Sequence, residues 1–432
     1  MILDWLGYLF LVLTLLGAAA MLLTNIGMLY QLYVHLTLRG EGLALEQRRL
    51  AHPLPPDDRL PHIVIQIPSF NESRMVENGI ANAVGLDWPR DKLHIQVCDD
   101  STDETTDIAR AAAERVAATG VDIMVIHRDD RTGFKAGALQ AAMAQTPHEY
   151  FAIFDVDFVA PRDFLRRCMA VLTSEPKLAF VQGRPDFLNA GENMLTRAQA
   201  VMLDFHYCIE QATRSWAQQA LHFNGTCGIW RREAIDLGGG WRGDTLTEDW
   251  ELSYHARLNG MSGTFLTSVT AKGELPAILR TWIPQQQRWA TGVGEVAWKM
   301  LPIVFGGGRF SAQARWDAVF PLAMWFVTST FTVTAITTVM TMLLKPSIAW
   351  TLGLAVGAVY VLTSTVLFWL MFIANRLLGR GTPFIRFWLN HVPVPLLSLY
   401  ISWAQFWSLP ATILGRRRTF VRTPKAGVAA NS

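Results

Sequence analysis

The stretch FAIFDVDFVAP, residues 151–161, is apolar except for two aspartates, Asp155 and Asp157. Burying one carboxylate beside a β-strand is costly, and placing two costs more, because like charges raise each other's pKa. Strand side chains alternate, so residues two apart face the same way and both carboxylates can converge on one point. A divalent cation shared with a diphosphate resolves the repulsion. Carboxylates supply hard oxygen ligands, and Mg²⁺ or Mn²⁺ keeps coordination sites for phosphate and water. A purely structural pair of aspartates is the alternative. D-x-D alone is a weak pattern, and its position at a strand end strengthens it.

Around this segment short β runs alternate with helical patterns. HIVIQI (62–67) precedes an amphipathic stretch, then come HIQVCD (94–99), the Ala-rich 103–119, VDIMVIH (121–127), FKAGALQAAMAQ (134–145) and YFAIFD (150–155). The alternation predicts an open, Rossmann-like, mostly parallel α/β sheet with right-handed crossovers. Such sheets bind ligands beyond the carboxyl ends of their strands. The unusual acidic clusters fall there.

The 432-residue chain is 51% hydrophobic and only 17% charged, with 16 Trp and 23 Phe. That is too apolar for an ordinary soluble enzyme, and the excess lies at the two ends. Residues 5–36 hold no charged side chain and exceed the ~20 residues needed to cross a bilayer. Without a basic n-region or a small-residue cleavage site, this run reads as a retained anchor. Arg39, Arg48 and Arg49 follow it, and only Asp4 precedes it, which places the N-terminus outside and residue 40 onward in the cytosol. Three more apolar segments, about 318–344, 348–375 and 387–414, precede the basic tail GRRRTFVRTPK. The tail should be cytosolic, so an odd number of crossings after the domain fails. The third segment, with His391, Pro393, Pro395 and Pro410, reads as re-entrant, a short hairpin or interfacial. The implied location is the inner or plasma membrane, multi-pass, with the catalytic domain cytosolic. Cys98, Cys168, Cys208 and Cys227 form no C-x-x-C and suit a reducing compartment. A formal net charge of +2 gives no reason to expect nucleic acid.

The remaining motifs each allow two readings. PSFNES (68–73) could meet a nucleotide or be a plain turn with an N-cap. In DDSTDETTD (99–107), Thr102 or Asp103 could cap the next helix, whereas Asp99 and Asp100 precede the cap and would face the crevice. Lys135 sits at a helix start, where a cation opposes the helix dipole; a nearby phosphate removes that conflict. The alternative is a solvated lysine. In TLTEDWELSYHARLNG (245–260), Thr245 or Thr247 falls near an N-cap, and capping accounts for Glu248 or Asp249. A carboxylate there that opens into a cleft could equally act as a general base. QQQRWATG (285–292) places Gln285, Arg288 and Trp289 together. Arg suits a diphosphate and an indole face suits a sugar ring, but an interfacial Trp with a snorkelling Arg gives the same pattern.

Taken in order, D-D, D-x-D, T-E-D and Q-x-x-R-W resemble the family-2 glycosyltransferases, inverting GT-A enzymes that include cellulose, hyaluronan and mannan synthases. The likeness covers about residues 60–300. IQIPSFNES, IQVCDDSTDETTD, FKAGAL, FDVDF, HFNGTCGIWRREAI and TEDWELSYHARLNG resemble the cellulose-synthase-like A group, the plant glucomannan β-1,4-mannosyltransferases and their bacterial relatives. The resemblance implies that Asp99 and Asp100 bind the nucleoside, with Lys135 near base or phosphates. It makes Asp155 and Asp157 the metal and diphosphate pair, and Asp249 the catalytic base with Glu248 beside it. Gln285, Arg288 and Trp289 match the motif that holds diphosphate and stacks on the acceptor sugar, and Phe223, Asn224, Gly225 and Thr226 match the acceptor-entrance loop. FVRTPK (420–425) resembles a cytosolic loop that folds over the nucleotide.

The expected organisation is an N-terminal transmembrane helix at 1–38, a cytosolic GT-A domain at 39–275 and interfacial helices with Q-x-x-R-W at 276–315. A C-terminal transmembrane region at 316–415 and a basic tail at 416–432 complete it. The implied partners are a nucleotide-sugar donor, a glycan or lipid acceptor and the membrane. Polymer-exporting members carry more transmembrane helices, so export here calls for a homo-oligomer or an accessory export protein. Three functions compete: a processive β-glycan synthase using a donor of the UDP-glucose or GDP-mannose type, a diacylglycerol or ceramide glycosyltransferase, and a non-catalytic nucleotide-sugar sensor. The intact T-E-D argues against the sensor.

Overall fold

The computed structural model describes residues 2–306 and 312–414. A seven-stranded sheet forms its centre: β1 (Ile63–Ser69), β2 (Leu93–Asp99), β3 (Asp122–His127), β4 (Tyr150–Ile153), β5 (Leu178–Phe187), β6 (Gly228–Arg231) and β7 (Ser262–Gly273). Their order is β3-β2-β1-β4-β6-β5-β7. β6 runs antiparallel to both its neighbours and the other pairings are parallel. The sheet is therefore mostly parallel, as the β/α alternation predicts. Helices α2 (Val76–Val84), α3 (Thr105–Ala117), α4 (Phe134–Met143) and α5 (Phe164–Ser174) are the crossovers of its first half.

The strands are apolar on both faces because helices cover both. Ile63, Ile65 and Ile67 of β1 face one buried cluster with α2, α3 and α5. Val64 faces a second with Ala136 and Leu139 of α4 and with Phe180, Phe223 and Trp230. Two buried glutamines interrupt this pattern. Gln66 donates to Gln96 Oε1 at 3.0 Å and to the Leu139 carbonyl at 3.2 Å, and Gln96 donates to the Ala142 carbonyl at 2.9 Å. These bonds tie α4 to β1 and β2 and so fix where Lys135 emerges.

The second half holds α6 (Met194–Phe205), a π-helical turn (His206–Gln211), α7 (Ala212–Trp216), α8 (Arg232–Leu237) and α9 (Glu248–Leu258). The apolar parts are α1 (Ile2–Leu50), α10 (Leu279–Gly306), α11 (Ala312–Leu344), α12 (Pro346–Leu377), α13 (Phe384–His391) and α14 (Val394–Ile413). Among the described residues three helical stretches are long and apolar enough to cross a membrane: Ile2–Leu50, Pro321–Leu344 and Pro346–Leu377. The third C-terminal segment is broken at Val392–Pro393 into α13 and α14, in keeping with its prolines. The tail and FVRTPK lie outside the described residues.

No break follows residue 38, because α1 is one helix to Leu50, about 70 Å long at 1.5 Å per residue. Its last turns are anchored in the globular domain. Buried Glu46 accepts bonds from the backbone N–H and hydroxyl groups of Thr267 and Ser268, at 2.7–3.1 Å. Gly42 lies flat against the Trp216 indole, where a Cβ would come within 2.4 Å. At the other end of α1, Asp4 pairs with Lys345, the residue between α11 and α12, at 3.0 Å. After α12 the chain is back at the globular domain, where Arg380 pairs with Asp186 at 2.6 Å and Asp204 at 2.8 Å. The start of α1 and the α11–α12 turn therefore share the end of the bundle remote from the sheet.

Candidate active site

The carboxyl ends of the strands open into a cleft of about 250 Å³, covered on the far side by α9 and α10. Asp100, Lys135, Asp155, Asp157, Asn224, Gly225, Thr226, Glu248, Asp249, Gln285, Arg288 and Trp289 all line it. The sequence motifs, scattered over nearly two hundred positions, thus meet around one cavity. Asp99 and Phe223 do not reach it. Asp99 is fully buried and accepts from Ser101 Oγ and Thr106 Oγ1, each at 2.6 Å, with His127 Nδ1 at 2.8 Å. Phe223 packs edge-on against Phe180 and Trp230 in the core. Both serve the wall from behind, where an alternating strand and a crowded turn put them.

Asp100 reaches the cleft but is bidentate with Arg128, at 2.8 and 2.7 Å. Arg128 also donates to the carbonyls of Thr132 and Phe134, each at 3.1 Å. The pair therefore folds the loop that starts α4, and Arg131 of that loop stacks over the Phe70 ring, 3.3 Å from its centroid. Phe70 and Arg131 line the cleft too.

Lys135 emerges at the start of α4 and donates to Asp155 Oδ1 at 2.6 Å and to the Gly225 carbonyl at 2.9 Å. Burial works against its charge, yet Asp155, Glu248 and Asp249 outweigh it and raise its pKa. Asp155 follows β4, and its N–H donates to Thr226 Oγ1 at 3.0 Å. Asp157 is buried and accepts the Glu274 N–H at 3.0 Å. The D-x-D pair is thus held by the 223–226 loop on one side and the end of β7 on the other.

The loop 223–226 is fixed in turn by Gln182 of β5. Gln182 Oε1 accepts from Asn224 Nδ2 at 3.0 Å, and its Nε2 donates to the Thr226 carbonyl at 2.9 Å. Gly225 has φ +74°, and a Cβ there would sit 3.5 Å from Asp249 Oδ2 and 3.6 Å from Lys135 Nζ. A glycine serves this position because the backbone is left-handed and the space belongs to two charged groups.

On α9, Thr247 stands at the N-cap but its hydroxyl makes no capping bond. Glu248 and Asp249 are buried in the first turn, where backbone N–H groups face their carboxylates, and both also line the cleft. Burial and then the Glu248 charge push Asp249 up to about 8, against the pull of Lys135. Burial likewise raises Glu248. α10 approaches closely because Gly292 lies against Thr247, where a Cβ would come within 2.6–2.9 Å. This contact brings Gln285, Arg288 and half-exposed Trp289 to the rim. Burial lowers the Arg288 pKa, opposed by Glu248, Asp155 and Asp249.

Tyr207 and Glu274 also line the cleft and carried no signal in the sequence reading. Glu274 directly follows β7, so the strand-end rule that found Asp99 and Asp155 would have found it with β7 assigned. Tyr207 projects from the π-helical turn, which no periodicity announces.

A mostly parallel sheet with acids and a lysine at its carboxyl ends, roofed by an amphipathic helix, defines a GT-A-type glycosyltransferase architecture. The model of the glycosyltransferase-like family 2 matches residues 61–292, and the chain belongs to that family. It is 42% identical over 244 residues to glucomannan 4-beta-mannosyltransferase 9 of Arabidopsis thaliana, covering 56% of this chain and 46% of that protein. It is 38% identical over 299 residues to glucomannan 4-beta-mannosyltransferase 1 of Oryza sativa subsp. japonica, covering 66% and 57%. The chain spans about half the length of the curated relatives it matches. The fold is similar to that of the mannosyltransferase PcManGT from Pyrobaculum calidifontis, solved in complex with GDP-Man and Mn²⁺. The TM-score is 0.53 at 19% identity, over 95% of this chain and 98% of that one.

Proposed function

We propose that this chain transfers a hexose from a nucleotide sugar to a hydroxyl acceptor with inversion, forming a β-glycoside, and that it extends a mannan- or glucomannan-like polymer. The observation that carries this is the meeting of Asp249, Lys135, Asp155 and Arg288 in one cleft, with Asp249 tuned to about 8 beside the Gly225 loop. A base with a pKa near neutrality both takes and releases a proton readily.

Asp249 removes the acceptor hydroxyl proton as that oxygen bonds to the anomeric carbon. The anomeric carbon–phosphate oxygen bond breaks, and the nucleoside diphosphate leaves with the bonding electrons. Lys135 and Arg288 meet the charge that develops on the diphosphate. Trp289 at the rim offers a face for the acceptor sugar. Phe70 and Arg131, with Asp100 behind them, form the wall where the nucleoside stacks.

Asp155 and Asp157 would hold Mg²⁺ or Mn²⁺. The fit rests on the donor set, two hard carboxylates on one cleft wall with Lys135 offsetting one of them. Such a cation, when bound, supplies positive charge to the departing diphosphate.

The spans support a matching topology. With α11 and α12 as the crossings that follow the domain, the chain returns to Arg380 beside it, which is compatible with a cytosolic tail. We place the N-terminus outside and the domain in the cytosol, from the Arg39, Arg48 and Arg49 bias. The small number of spans favours one second reading, a lipid acceptor.

The test incubates the purified protein with radiolabelled GDP-mannose or UDP-glucose and Mn²⁺ or Mg²⁺, then partitions the label. Label in alkali-stable polymer is the expected result. Label in organic-soluble lipid supports the second reading, and donor binding without transfer to either fraction overturns both.

A further inference from the structure

The opposite ends of the same strands carry a second cluster of ligating side chains. His62 immediately precedes β1, His94 is the second residue of β2, and His148 lies in the turn that enters β4. These strands are neighbours in the sheet, in the order β2-β1-β4. Their register sets Ile63 opposite both Leu93 and Tyr150, which gathers the three imidazoles on one patch. Nδ1 of His62 lies 2.8 Å from Nε2 of His94. One ring nitrogen from each of the three lies within 4.8 Å of the others. The His94 and His148 rings stack with centroids 4.0 Å apart, and those of His62 and His148 at 4.7 Å.

Core packing does not account for this group, since His62 is exposed and the other two are half-buried. Three adjacent imidazoles repel one another when protonated, and a shared cation takes the place of those protons. Asp122, opposite His94 in the β2–β3 register, accepts a hydrogen bond from His94 Nδ1 at 2.5 Å. That contact fixes the tautomer and leaves the Nε2 lone pair pointing at its neighbours. A carboxylate behind a histidine in this way raises ligand basicity at metal sites.

We propose that His62, His94 and His148 bind a transition-metal ion of the Zn²⁺ class, with Asp122 orienting His94, at a site separate from the glycosyltransferase cleft. Imidazole donors suit Zn²⁺, Ni²⁺ and Cu²⁺, whereas Mg²⁺ and Mn²⁺ prefer the oxygens of the Asp155–Asp157 pair. The two sites thus sort their ions by ligand chemistry. They also lie apart by the length of β1, roughly 20 Å for its seven residues. Tetrahedral zinc with bonds of about 2.0–2.1 Å wants ligand nitrogens about 3.4 Å apart. Side-chain rotation that unstacks the rings brings the three nitrogens to that spacing. Binding through His62 Nδ1 moves the proton shared with His94 Nε2 to His62 Nε2, so both nitrogens present lone pairs to the ion, and the fourth position takes water. The ion would clip together β1, β2 and the α4–β4 turn.

Zinc titration of the full detergent-solubilised chain, by calorimetry in excess Mg²⁺, tests this. One Zn²⁺ is expected to bind at micromolar concentration or tighter, and Cu²⁺ at the site should show nitrogen hyperfine splitting in its EPR spectrum. His94→Gln should weaken zinc binding at least ~100-fold and Asp122→Asn by ~10–100-fold, the range seen when such a second partner is lost. Asp155→Asn should leave zinc affinity unchanged. His62→Gln, at the most exposed ring, separates loss of a ligand from loss of the fold, checked by melting in EDTA. Zinc uptake only at millimolar concentration, or equal affinity in wild type and both His94→Gln and His62→Gln, overturns the proposal.

Discussion

One residue separates Asp249 from Glu251 on α9, and their carboxylates are in opposite electrostatic states. Both are buried. Asp249 is pushed up to about 8 by burial and the Glu248 charge. Burial also acts against Glu251, but His255, Lys299 and Thr245 overcome it and pull Glu251 down to about 2. Lys299 Nζ sits 2.6 Å from Glu251 Oε1, and Thr245 Oγ1 donates to Oε2 at 3.0 Å. One turn of helix therefore carries a satisfied charge on one side and a poorly satisfied one on the other. The satisfied carboxylate joins α9 to α10; the other is left available for a proton. Perturbed groups in a cleft are where function concentrates.

The sharpest way to break this comparison is to neutralise its reactive member. Asp249→Asn should lower turnover by at least ~10²–10⁴-fold, the range of general-base catalysis, while nucleotide-sugar binding persists. Single-turnover assays alongside equilibrium donor binding check it, and wild-type turnover would sink the assignment. The substitution should also stabilise the fold at high pH. A carboxyl whose folded pKa is raised favours the protonated form in the native state, so its ionisation destabilises as pH rises from about 4 towards 8. Asp249→Asn should melt above wild type at pH 8, with the gap closing towards pH 4.

Next in size is Gly225→Ala. Its φ of +74° imposes backbone strain on any other residue and shifts the loop that contacts Asp249 and Lys135. A loss of about 10–100-fold in transfer is expected, consistent with a misplacement of about 1 Å near the chemistry. Donor affinity should change less than transfer. Equal loss of both would show that the loop serves the donor instead.

The pH profile is a gentler probe of the same group. Transfer needs the Asp249 carboxylate, so kcat/KM should rise with pH along a limb near 8 and level off above it. That limb should vanish in Asp249→Asn and remain in variants of Lys299. A profile already flat from pH 5 upward would show that another group takes the proton.

The sequence made much of this cleft legible, and the reasons are physical. Asp155 and Asp157 stood out because an apolar strand makes carboxylates anomalous. Q-x-x-R-W stood out because a cation suited to diphosphate and an indole suited to a sugar stand together ahead of an apolar run. The division between Asp249 and Glu251 did not show, because T-E-D-W-E places three acids in one turn and only the partners distinguish them. Those partners, Lys299 and Thr245, come from distant or uninformative positions. Phe223 and Asp99 were read as site residues because their motifs were read as units, whereas the Asp99 carboxylate is taken up by Ser101, Thr106 and His127 and Phe223 packs in the core. The unbroken run of α1 past residue 38 was hidden by Arg39, because a charge ends an apolar run without ending a helix.

The smallest effect expected falls on the satisfied side. Lys299→Met removes one partner of Glu251 and leaves Arg242 at 3.6 Å, His255 at 3.4 Å and Thr245 as the remaining ones. A buried carboxylate that loses one of several charged partners costs about 1–3 kcal/mol. The loss should appear as a lower midpoint in thermal or denaturant unfolding. Sign follows from the linkage: Glu251 has a depressed folded pKa, so its contribution is present above pH 4.5 and is lost as pH falls towards about 2. The difference between wild type and Lys299→Met should therefore be full at pH 7 and shrink below pH 4. Transfer per folded molecule should stay within about twofold of wild type, because Lys299 does not line the cleft. A large drop in transfer with no change in stability would reverse the division and place the working charge of α9 on its other side.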